Sequence, residues 1–151
     1  MSERIVGIRR GQILTEIDVA SAVPGEGGQF TGLIDTGSQE SGVSRRVIER
    51  LAATSPLIPE SFKRVVPLGR AGVRTPAYRF WMGLRLEDDT GSEPTFGGTL
   101  GTFWQIPSQP DGFDVLVGMD LIERFAVKID GGICTLRRRQ PPSATAPAAR
   151  R

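Results

Sequence analysis

Leu33-Ile34-Asp35-Thr36-Gly37-Ser38 and, well downstream, Asp114-Val115-Leu116-Val117-Gly118-Met119-Asp120-Leu121 are the stretches whose reading decides this chain. Two aliphatic residues before Asp35 bury the end of a strand. Gly37 then permits a sharp turn and brings backbone N–H groups toward the carboxylate. The hexamer can therefore hold one acid rigidly at the base of a cleft. The second stretch is an apolar run broken by Gly118, after which Met119 to Phe125 is long enough for a short helix.

Asp-Thr-Gly by itself is weak evidence, and the chain carries an internal control for it at Asp89-Thr90-Gly91. That copy sits among Glu87, Asp88, Ser92 and Glu93, so it reads as a turn on a solvated loop. Only Asp35 has the buried approach. No second buried copy exists that would make a two-lobed chain. Chemistry that needs two facing carboxylates thus demands two copies of this molecule, with the site on their symmetry axis.

Working outward, Gln12 to Val19 alternates, with Ile13, Thr15, Ile17 and Val19 on one face. The turn Pro24-Gly25-Glu26-Gly27-Gly28 makes Phe30 to Asp35 the second strand of a hairpin. Ser44 is placed to cap a helix whose apolar stripe is Val47, Ile48 and Leu51, stopped by Pro56 and Pro59. Arg45 and Glu49 lie one turn apart as a surface pair. Arg64 to Leu68 and Val73 to Leu86 are strand-like around Gly69-Arg70-Ala71-Gly72, a projecting hairpin tip. Glu87 to Gly98, acidic and glycine-rich, reads as a surface loop. Leu100 to Ile106 is a further strand, and Asp130-Gly131-Gly132 joins Ala126–Ile129 to Ile133–Leu136. The sum is all-β, a closed β-barrel with one or two short helices.

At 151 residues the chain has the size of one domain. The expected organisation is an N-terminal segment 1–11, a domain over 12–136 and a flexible Arg/Pro/Ala-rich tail over 137–151. With no histidine and a single cysteine, Cys134, zinc sites built on Cys and His, Ser-His-Asp triads and Cys-His dyads are excluded within the chain. Cys134, in Gly-Ile-Cys-Thr-Leu, reads as a small core residue. What remains for catalysis is carboxylates.

The net charge of +2 is uneven: residues 137–151 hold five arginines and no acid, while residues 1–136 hold 14 basic and 17 acidic side chains. A mildly acidic body weakens a nucleic-acid reading. No apolar run approaches the roughly 18 residues of a bilayer span. Nor does Met-Ser-Glu-Arg-Ile-Val-Gly start like a secretory signal. No nucleic-acid or membrane partner is expected, and the location expected is cytoplasmic.

Taken in order, the hairpin ending in Leu-Ile-Asp-Thr-Gly-Ser, the glycine-tipped hairpin at residues 64–78 and Val-Leu-Val-Gly-Met-Asp-Leu-Ile resemble the retropepsin-like, single-lobed aspartic proteases over roughly residues 12–136. The resemblance implies a homodimeric aspartic endopeptidase acting on polypeptide, with Asp35 catalytic. It implies that the Thr36 hydroxyl braces the two active-site loops across the dimer axis, that Gly37 is the turn glycine and that Ser38 stands where the family has Ser or Ala. Leu116, Val117 and Gly118 match the apolar-apolar-Gly element behind the catalytic loop, and Gly69, Arg70, Ala71 and Gly72 the tip of the flap. Neither metal nor organic cofactor is implied.

The competing readings are a catalytically weak or inactive retropepsin-fold module for dimerisation or peptide binding, and an assembly protein recruited through its arginine-rich tail. Asp120 reads as a helix cap or first-turn acid and Asp114 as a turn residue. Trp81 and Trp104 read as core or dimer-face residues.

Overall fold

The computed structural model describes residues 2–65, 72–88 and 95–139. Alternation makes the strands. In β2 (Gln12–Ala20), Thr15, Ile17 and Val19 are buried while Leu14 and Glu16 are exposed, and the strand pairs antiparallel with β3 (Gly28–Ile34) across the predicted turn. Helix α1 (Arg45–Ala52) buries Val47, Ile48 and Leu51, the stripe read from spacing. Asp18 breaks the pattern: it is 4% exposed on β2, where its carboxylate accepts from Arg85 Nε at 3.1 Å. A buried carboxylate is tolerated only with such a partner.

The remaining elements are β1 (Ser2–Arg9), β4 (Gly42–Val43), β5 (Ser61–Val65), β6 (Val73–Asp88), β7 (Thr95–Gln105), β8 (Val115–Val117), α2 (Met119–Ile122), β9 (Phe125–Asp130) and β10 (Ile133–Arg138). They form one sheet in the order β5-β6-β7-β4-β8-β3-β2-β1-β10-β9. Long β6 also pairs with β2 and β1, so β6-β7-β4-β8-β3-β2 return on themselves as a ring of paired strands. The expected closed barrel is met as far as this ring, with β5 and β9 at the edges. Ile17, Phe80, Met82, Leu84, Leu86 and Leu121, all at most 1% exposed, belong to a single core.

Most departures from the sequence reading trace to long-range pairing. Residues 2–9, assigned no element, form β1 because β10, β2 and β6 each offer it a partner. The stretch 87–98, read as loop, is strand at both of its ends. Gly98 sits opposite Gly83, and the Phe96 ring lies across both, so close that a Cβ on either glycine would meet it. The glycines that suggested a loop are there to admit the ring. Helix α2 stops at Ile122, short of Phe125, which is 2% exposed and opens β9. Strand β10 runs through Arg138, two residues into the segment read as a tail. The Gly131-Gly132 turn has φ of +58° and +81°, the left-handed values that a two-residue hairpin of this hand requires.

Candidate active site

Asp35 is the residue that follows β3, and three hydrogen bonds with main-chain groups hold it. Its N–H donates to Val117 O at 2.9 Å, its C=O accepts from Ser38 N–H at 3.2 Å, and its Oδ1 accepts from Gly37 N–H at 2.9 Å. The first bond extends the parallel register that sets Leu33 beside Leu116 and Ile34 beside Val117. The carboxylate is thereby aimed by backbone alone. Asp35 and Ser38 are half-buried, whereas Thr36 and Gly37 are exposed at the turn.

A second layer of bonds ties the following loop to α2. Met119 N–H donates to Ser38 O at 2.7 Å, and Asp120 N–H to Gln39 O at 3.1 Å. Ser38 Oγ donates to Glu40 O at 2.8 Å. Ser41 is fully buried: its N–H and its hydroxyl donate to the two carboxylate oxygens of Asp120 at 3.0 and 2.5 Å, and its Oγ accepts from Gly118 N–H at 2.9 Å. Gly118 has to be glycine for want of space. A Cβ there would stand 2.7 Å from Glu40 C and O and 2.9 Å from Ser38 O.

The structure thus brings Asp35–Ser38 together with Val117 and Gly118. Of the predicted flap tip, Gly69, Arg70 and Ala71 lie outside the described residues, as does the second Asp-Thr-Gly. Gly72 is half-buried immediately before β6, close against Arg64. Asp114 sits at a bend just before β8, as read, but is not solvated: 8% exposed, it accepts from Ser44 Oγ at 2.8 Å and Gln109 Nε2 at 3.0 Å, so the Ser44 hydroxyl is engaged there and does not cap α1. Trp81 and Trp104 are half-buried, Trp81 edge-on to Phe96 and Trp104 against Gly42.

Ser41 and the bracing role of Asp120 escaped the sequence reading. The available signal was an acid placed among apolar residues at a helix start, with a serine six positions beyond Asp35. Elsewhere, burial pushes the Cys134 thiol above its usual pKa. Among the described residues no group of three or more His, Cys, Asp or Glu side chains could hold a metal ion, and no helix is long and apolar enough to cross a membrane.

No protein family and no curated protein matches the chain in sequence. In structure it is similar to a retropepsin-like aspartic protease from Rickettsia conorii, with a TM-score of 0.61 over 89% of each chain and 16% sequence identity. The fold is retropepsin-like. At that identity the likeness is one of architecture. Within the retropepsin-like fold of this chain, the parallel pair β3–β8 and the α2 start hold an acid in a turn whose geometry rests on main-chain bonds rather than on long side chains.

Proposed function

We propose that this chain is an aspartic endopeptidase that works as a homodimer in the cytoplasm, Asp35 of each protomer supplying one carboxylate of a facing pair. The observation that carries this reading is the Asp35 turn: a half-buried acid fixed by Val117 O and Gly37 N–H, in a fold similar to that of an aspartic protease. The exposed Thr36 beside it suits the role of bracing the partner's loop.

Two carboxylates close together on a two-fold axis repel each other when both are charged, so one proton shared between them is the favoured arrangement. The ionised member takes a proton from a water as its oxygen attacks the scissile carbonyl, while the protonated member hydrogen-bonds to the carbonyl oxygen. Collapse of the tetrahedral adduct with proton transfer to nitrogen breaks the C–N bond and regenerates the shared proton. An extended polypeptide lies as an added strand beneath the β5–β6 hairpin.

The deciding experiment digests a peptide library with wild type and Asp35→Asn, alongside solution mass and circular dichroism. Cleavage by wild type alone, with both proteins folded and dimeric, supports the proposal. Cleavage that survives Asp35→Asn overturns it. Wild type that binds peptides yet cuts none makes the chain a binding module.

A further inference from the structure

Strands β5 and β6 make a hairpin whose two faces are unlike. Directly opposed residues share a face, and the pair Lys63–Thr75 fixes which one looks inward. Thr75, 3% exposed, donates its hydroxyl to Gln105 O at the end of β7, and Lys63 forms an ion pair with Glu40. The neighbouring pairs Phe62–Pro76 and Arg64–Arg74 therefore lie on the other face, turned away from β7 and from the loop that follows Asp35. Phe62 is 52% exposed there, both arginines are exposed, and Ile58, just ahead of β5, is exposed as well.

Arg64 stands directly opposite Arg74 in the register, where like charges repel, and among the described residues no acid pairs with either. Both side chains nevertheless have seats. The Arg74 guanidinium carbon lies 4.2 Å from the centroid of the Phe62 ring, its diagonal neighbour, and such stacking leaves the N–H donors available. Arg64 runs along the main chain at Gly72, where a Cβ would come 2.5 Å from its Nε. Two guanidinium groups are thus held side by side by a ring and a backbone, which lowers the ordering cost of receiving an anion. Arg79, exposed farther along β6, keeps the same sign, while Glu60, exposed just before β5, puts an opposing charge at the base of the hairpin.

We propose that the outer face of the β5–β6 hairpin docks an extended acidic polypeptide segment, a carboxylate bridging Arg64 and Arg74 and an apolar side chain resting on Phe62 and Pro76. These residues face away from the loop that follows Asp35, so docking here is independent of the proteolytic chemistry. The two pairs are two residues apart on each strand, roughly 6.6 Å, which is the spacing of alternate side chains in an extended chain. The matching ligand sequence is acid-x-apolar, continued at the same spacing by a neutral or basic residue toward the Glu60 end. A uniformly anionic polymer lacks the apolar half and is repelled by Glu60.

The test titrates the full chain carrying Asp35→Asn, which keeps cleavage out of the readout, with fluorescent extended peptides of pattern Glu-x-Leu-x-Lys, Gln-x-Leu-x-Lys and Glu-x-Ser-x-Lys. The first binds roughly tenfold tighter than the second, the size of two partly solvated charge pairs, and several-fold tighter than the third. Arg64→Gln or Arg74→Gln alone lowers the preference for Glu to about threefold, and both together bring it to about one, with thermal melting unchanged. Amide NMR shifts on peptide addition fall in residues 61–65 and 73–77 and spare 33–38. Absence of binding at millimolar peptide, a preference for Glu that survives the double substitution, or shifts centred on Asp35 overturns the proposal. So does a single-stranded oligonucleotide that binds as tightly through the same arginines, which makes the face a general polyanion surface.

Discussion

Ser41 and Asp120, 79 positions apart in the chain, are joined by two hydrogen bonds, from the Ser41 N–H at 3.0 Å and from its hydroxyl at 2.5 Å. Because Ser41 Oγ also accepts from Gly118 N–H, one buried hydroxyl links the loop after Asp35 to the strand end behind it. Ser41→Ala leaves a carboxylate oxygen and a buried N–H short of partners, a cost of about 1.5–3 kcal/mol. Urea unfolding reads the stability loss. Peptide cleavage falls more than the unfolded fraction accounts for, because the loop carrying Asp35 loses its anchor.

Gly118→Ala acts on the same junction by collision. The added methyl meets main-chain atoms of Glu40 and Ser38, which cannot swing aside like a side-chain tip. The expected destabilisation is about 1–3 kcal/mol. A loss of kcat at nearly unchanged KM is the kinetic signature, since the catalytic loop shifts more than the hairpin does.

Asp114 and Ser44 hold α1 to β8 through two bonds, Ser44 Oγ to Asp114 Oδ1 at 2.8 Å and Ser44 N–H to Asp114 O at 2.7 Å. Asp114→Ala strands the buried Ser44 hydroxyl and lowers stability by about 1–3 kcal/mol. Arg46, 3.6 Å from the carboxylate but 69% exposed, adds little, so Arg46→Ala is close to neutral in the same unfolding assay.

Cys134 is fully buried and its thiol is pushed upward by burial, so the folded state holds this proton more tightly than the unfolded chain does. The stabilising contribution is whole below the unfolded thiol pKa of about 8.5 and fades as pH rises above it, at most about 1.4 kcal/mol per pH unit. Wild type should therefore lose stability relative to Cys134→Ala between about pH 8.5 and 10. A thiol reagent at pH 8 reacts only on addition of denaturant.

Local signals carried a large share of the architecture. Asp35 at a strand end, the α1 stripe, the Gly131-Gly132 turn and the β2–β3 hairpin all depend on residues within a few positions of each other. Period and turn chemistry act over that range, so the chain alone specifies them. Tertiary structure decided which acids face partners: Asp18, Asp114 and Asp120 look like ordinary surface carboxylates, yet each meets a donor 67, 70 and 79 residues away, respectively. It also decided that residues 2–9 are strand and that Gly97 and Gly98 lie in a ladder, because a strand edge or a glycine acquires its meaning from the surface it packs on. Both outcomes follow from register between distant segments, which no short window of sequence contains.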